Sequence, residues 1–144
     1  MAPIDSEETH IEDIPALDFD VYERARDFIG AKFDALVQVF LEDARAHIEM
    51  LKRNAENDLP AEQSALPAHT LKSTSGQLGL KQISALAYEM ERASNELARQ
   101  KKGSAALAER ARLVEKLFNA VEPVLLQRIA AAKDKAAAKS QRQT

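Results

Sequence analysis

His69 is followed three residues later by Lys72 and then by Ser73, Thr74, Ser75 and Gly76, within the stretch AHTLKSTSGQLG of residues 68–79. An imidazole titrates near pH 6.5, so much of it is an unprotonated nucleophile at neutral pH without an activating partner. An ammonium one helical turn along can set a point charge against phosphate oxygens. The small residues that follow do not serve the helix. Gly costs about 1 kcal/mol relative to Ala, and Ser or Thr a few tenths. Short side chains do let a second protein's surface come within bonding distance of the ring. The chemistry this arrangement suits is phosphoryl transfer, in which catalysis is largely positioning and charge compensation. The spacing alone fits equally well a solvated surface histidine with an unrelated lysine nearby.

The elements that must position these residues are helical. The chain has 144 residues, 45% hydrophobic, 30% charged and 5% aromatic, with 4 Gly and 5 Pro, which fits one helical domain. Residues 1–17 carry Asp5, Glu7, Glu8, Glu12 and Asp13 and no basic residue, and read as a mobile acidic leader. A short amphipathic helix is expected from Asp18, with Phe19, Tyr22 and Ala25 inward and Gly30 ending it. Phe33, Leu36, Val37, Phe40, Ala44, Ile48, Leu51 and Ala55 recur at steps of three and four, the pattern of a long helix buried along one stripe. Asp58 near the cap and Pro60 in the first turn open a third helix, from about Pro60 to Gly79. Pro67 inside it predicts a lost hydrogen bond to residue 63 and a bend.

A fourth helix, from about Leu80 to Gln100, turns Leu80, Ile83, Leu86, Ala87, Met90 and Leu97 inward, and Gly103 breaks it. The fifth, from Ser104, carries Leu107, Ala111, Val114, Leu117, Phe118, Val121, Leu125 and Ile129 on one face and contains Pro123. Beyond Ile129 the apolar face is lost, so residues 131–144 are expected as a fraying helix end or a disordered tail. The fold class is therefore all-α: an antiparallel up-and-down four-helix bundle over residues 18–130, preceded by a short extra helix and flanked by flexible tails.

At about 100° per residue, Leu71 and Leu78 lie opposite His69, so His69 points away from the core. Glu62, Ala65, Lys72, Ser73 and Gly76 share its face, with Gln77 to one side. On the fourth helix Ser84, Tyr88, Glu91 and Asn95 form one polar flank. If the third and fourth helices are antiparallel neighbours, Glu91 can accept a hydrogen bond from one ring nitrogen and orient the other toward a partner. Solvated bundle surface is the alternative for all four.

Other chemistries find little support. Cysteine is absent, which excludes disulfides, thiolate metal sites and a cysteine nucleophile. His47 lies at the edge of the second helix's stripe and reads as a packed rim residue, and His10 as a solvated leader residue. The only Glu-x-x-His spacing, Glu7 with His10, sits outside the helices, so no metal site is expected. No phosphate-cradling glycine loop is present, so no ATP-dependent kinase activity of its own is expected. The net charge of -3 argues mildly against nucleic acid, and no apolar run approaches the length of a membrane helix. A monomer in the cytoplasm is expected. Arg128, Lys133, Lys135, Lys139 and Arg142 against Asp134 make the C-terminal end basic, and a solvated tail is its default reading.

The sequence resembles the histidine-containing phosphotransfer (HPt) domains of multistep phosphorelays. Their pattern is roughly His-x-Leu-Lys-Gly-[small]-Ser-x-x-[Leu/Phe]-Gly, and His69, Leu71, Lys72, Ser75, Leu78 and Gly79 match it. Ser73 departs from it, standing where Gly is commonest. The likeness extends to LVQVFLEDARAHIEML before the motif and LGLKQISALAYEMERAS after it, with Glu91 where members often carry Glu or Gln. It implies an exposed, phosphorylated His69 that shuttles phosphoryl groups between aspartates of receiver domains, on a hybrid histidine kinase or on response regulators. Lys72, Gln77 and Glu91 are the residues expected to support the phosphate, and Ala65, Ser73 and Gly76 to meet the partner. Mg²⁺ is expected on the receiver and no cofactor on this chain. The alternative is a non-catalytic helical adaptor that docks a partner through the Ser73 and Gly76 face.

Overall fold

A computed structural model describes residues 11–142. Its helices are α1 (Phe19–Ile29), α2 (Phe33–Glu56), α3 (Glu62–Gln77), α4 (Lys81–Arg99) and α5 (Ala108–Arg142), with short 3-10 turns at Ile11–Asp13, Gly30–Lys32 and Ser104–Leu107. No strand occurs among the described residues. Short links make α2, α3 and α4 each run antiparallel to its successor, and α2 to α5 pack in cyclic order as a four-helix bundle. No described helix is long and apolar enough to cross a membrane.

The core is the meeting of four apolar stripes. Val37, Phe40, Leu41, Ala44, Ile48 and Leu51 of α2 face Ile83, Leu86, Ala87 and Met90 of α4 and the buried row of α5 from Ala111 to Ile129. Two residues expected inward are not. Leu36 is half exposed, because the stripe of α2 is centred on Val37 and Ala44 and passes it by. Phe19 is also exposed on one side, where the Arg128 guanidinium lies over its ring with Cζ 3.9 Å from the centroid.

Helix α3 contributes least oil to this core: Ala68 and Leu71, with Pro67 and the buried hydroxyls of Ser64 and Ser75. Small side chains let it sit close to α4. A Cβ on Gly76 would stand 3.2 Å from Ser84 Oγ, and Ser84 Oγ donates to the Lys72 carbonyl at 2.9 Å. Pro67 lies inside α3, and the carbonyl of Gln63 that it leaves without a helical donor accepts from Asn54 Nδ2 of α2 at 3.3 Å. The same amide reaches Ser64 Oγ at 3.2 Å, which in turn meets Ser104 Oγ at 3.0 Å. A buried polar group left unpaired costs about 1–3 kcal/mol, so this chain of bonds pins α2, α3 and the α4–α5 link to one another.

Asp58 does not cap α3. It adopts φ 47°, and its carboxylate accepts from Ala105 N at 3.0 Å, capping the turn before α5 instead. Gly103 passes so close to Asp58 that a Cβ would stand 2.1 Å from Oδ1.

At the opposite end, α1 is tied to the α3–α4 turn. Asp18 caps α1 by accepting from Asp20 N and Val21 N, donates its own N–H to the Gly79 carbonyl at 2.8 Å, and pairs with Lys81 at 2.9 Å. Chiefly through the Lys81 bond, the Asp18 carboxyl is held below its usual range. Gly79 has φ 81°, and a Cβ there would lie 2.6 Å from the Asp18 carbonyl oxygen, so only glycine fits without strain.

Residues 1–10 of the expected leader lie outside the described residues. Its last seven are anchored at two points: Leu17 is buried, Ile11 packs against the core, and Gln82 Nε2 donates to the Ile11 carbonyl at 3.0 Å. Two apolar side chains with a surface to cover explain why this part is held despite its charge. At the other end α5 continues in one helix through Arg142, and residues 133–141 are exposed.

Candidate functional site

The site lies where the middle of α3 runs beside α4. Because α3 and α4 are antiparallel and joined by a three-residue turn, the outward edge of α3 meets the polar flank of α4 that the sequence marks out. The His69 side chain is 53% exposed, and its Nδ1 is hydrogen-bonded to Glu91 Oε2. Glu91 is only 16% exposed and accepts a second bond at Oε1, from Lys72 Nζ at 2.9 Å. One carboxylate therefore bridges the imidazole and the ammonium.

Burial pushes the Glu91 carboxyl up, but the hydrogen bonds and charges of Lys72 and His69 outweigh it and hold the group below its ordinary 4.5. An ionised carboxylate is an acceptor only, so the proton of the shared bond belongs to Nδ1. The neutral ring then keeps its lone pair on Nε2, the nitrogen that Glu91 does not engage. The carboxylate fixes both the tautomer and the tilt of the ring, and it stands ready to balance a positive charge on it.

The Lys72 ammonium has a second neighbour. It lies 5.3 Å from the centroid of the Tyr88 ring, and the Arg92 guanidinium, one turn further on α4, lies 5.7 Å from the same centroid. Of the expected polar flank, Ser84, Tyr88 and Glu91 all meet α3, whereas Asn95 is exposed.

The remaining sequence candidates divide. Ala65 and Ser73 are half buried on α3 beside His69, and Gly76 is exposed, though its lack of a side chain also serves the close approach of Ser84. Gln77 is exposed at the last residue of α3, eight residues and about 12 Å along the axis from His69. It is not brought to the His69, Lys72 and Glu91 cluster. His47 is half buried on the edge of α2 that also carries Asn54, and His10 lies outside the described residues.

One neighbour was missed from sequence. Leu66, one turn before His69, is 71% exposed. Its signal was available: a leucine off the apolar stripe, beside a proline, on the face of the candidate nucleophile. No group of three or more potential metal ligands occurs among the described residues.

Comparison with known proteins gives one positive finding. A family model described as the Hpt domain matches residues 35–135, more than half of the chain, covering α2 through α4 and α5 as far as Lys135. No curated protein and no solved structure matches it.

Proposed function

The chain belongs to the Hpt domain family, whose members act in His–Asp phosphorelays, and from that premise we propose that His69 is the phosphoryl carrier. In this reading His69 Nε2 attacks the phosphorus of a phospho-aspartate on a receiver domain. The N–P bond forms as the acyl P–O bond breaks, and the aspartate leaves as a carboxylate. The Nδ1 proton stays where it is, so the product ring is a cation, balanced by Glu91. The reverse sequence passes the group to the aspartate of another receiver, on a hybrid histidine kinase or a response regulator. Mg²⁺ belongs to the receiver's carboxylates, and this chain brings no ATP-dependent step of its own.

The observation that carries the proposal is the bond from His69 Nδ1 to Glu91, on a half-exposed ring whose Nε2 Glu91 does not engage. Lys72, held between Glu91 and the Tyr88 ring, is the charge that turns to the phosphoryl oxygens once they arrive. Leu66, Ala65 and Ser73 form the surface on which the receiver settles, with the apolar Leu66 as its anchor. Every group in the site comes from α3 and α4 of one chain, so a monomer suffices, and the relay is read as cytoplasmic.

Incubation with a phosphorylated receiver tests this. An acid-labile, alkali-stable label on the wild type and none on His69→Gln is the expected result. Label retained by His69→Gln overturns the site. Full pathway output from that variant favours an adaptor that docks a partner without chemistry.

A further inference from the structure

Resting on the carrier reading, we infer that Tyr88 is a positioning residue for Lys72: its ring keeps the ammonium beside His69 at the stage when Glu91 no longer holds it. In the unphosphorylated site the Lys72 ammonium has two anchors, Glu91 Oε1 at 2.9 Å and the Tyr88 ring with its centroid at 5.3 Å. The two anchors differ in kind. Glu91 holds Lys72 by neutralising it, so the carboxylate competes directly with an incoming phosphoryl group for the same cation. An aromatic face holds a cation through its quadrupole and carries no net charge. It can retain the ammonium while leaving its full charge available to the phosphate.

Phosphorylation of His69 makes that difference matter. The ring becomes a cation whose Nδ1 proton draws Glu91 more strongly, and the phosphoryl oxygens draw Lys72. Without Tyr88, a lysine side chain released from Glu91 would recover its rotamer freedom. With Tyr88 in place it stays within a short swing of the phosphate. Tyr88 is 47% exposed and so is not required by the core. Arg92, one turn along α4, lies over the same ring at 5.7 Å and braces it.

The test compares wild type, Tyr88→Phe, Tyr88→Leu, Lys72→Ala and the Tyr88→Leu, Lys72→Ala double variant in single-turnover transfer from a phosphorylated receiver. A nuclear magnetic resonance reading of the ring-current shift at the Lys72 methylene next to Nζ accompanies it. Tyr88→Phe keeps the shift and the wild-type rate. Tyr88→Leu loses the shift and slows transfer about two- to fivefold, the worth of one cation–π contact. In the Lys72→Ala background the leucine substitution has no further effect, which a merely structural role for the ring would not produce. A wild-type rate in Tyr88→Leu, or the same slowing with Lys72 absent, overturns the inference alone. A wild-type protein that takes no phosphoryl group overturns the carrier reading on which it rests.

Discussion

Replacing Glu91 by Gln keeps the size and one acceptor oxygen of the side chain and removes its charge. In the free protein the carboxylate accepts from both His69 Nδ1 and Lys72 Nζ, and hydrogen bonds to charged groups contribute about 1.5–3 kcal/mol when sheltered. Exposed ion pairs contribute only about 0–1 kcal/mol. Glu91 itself is well covered, but His69 is half exposed, so the extra stabilisation that the carboxylate gives a cationic ring over a neutral one belongs between those limits, at about 1–1.5 kcal/mol. The carboxylate is worth more to the phosphorylated ring, which is a cation, than to the neutral ring. Losing it should therefore shift the equilibrium between phosphohistidine and phospho-aspartate about five- to tenfold toward the aspartate. The assay is the distribution of label between this chain and a receiver at equilibrium, resolved on a phosphate-affinity gel. A distribution within twofold of wild type would refute the assigned role, because a tautomer set by some other group would be indifferent to this charge.

Gly79→Ala forces an L residue into φ 81° and sets a Cβ 2.6 Å from the Asp18 carbonyl oxygen. The left-handed conformation and the disturbed Asp18–Gly79 bond together cost about 2–3 kcal/mol, read as a lower urea midpoint at unchanged slope; an unchanged midpoint would refute the close approach. Leu66→Glu should leave stability within about 0.5 kcal/mol and weaken receiver binding roughly tenfold, measured by titration calorimetry, with unchanged affinity counting against Leu66 as an anchor. Because the folded Glu91 carboxyl titrates below its ordinary 4.5, its contribution to stability is present above that value and is lost as pH falls through the lowered one. The stability difference between wild type and Glu91→Gln should accordingly shrink below pH 4.5, as followed by thermal melts, and a difference that grows there would contradict the ion pairing.

The sequence pattern made the bundle legible because each of α2, α4 and α5 carries an apolar row long enough to define a buried face. The same wheels placed His69 outward and Glu91 on a polar flank that can stand beside it if the third and fourth helices are antiparallel neighbours. What the pattern could not supply were contacts between residues distant in the chain. Pro67 announced a free carbonyl at Gln63, but that Asn54 of α2 occupies it depends on how two helices meet. Asp58 had the composition of a cap for α3 and instead serves Ala105, 47 residues away. The acidic charge of residues 11–17 suggested solvation, yet Ile11 and Leu17 find apolar surface that only the assembled bundle offers. The Tyr88 ring is compatible with simple solvation by sequence, and only the packing of α3 on α4 brings Lys72 beside it.

The central claim concerns one atom, and it is tested on that atom. After transfer from a phosphorylated receiver, the nitrogen-15 imidazole spectrum of labelled protein should show His69 carrying phosphate on Nε2 and a proton on Nδ1. Phosphate on Nδ1, or on any residue other than His69, would contradict the account.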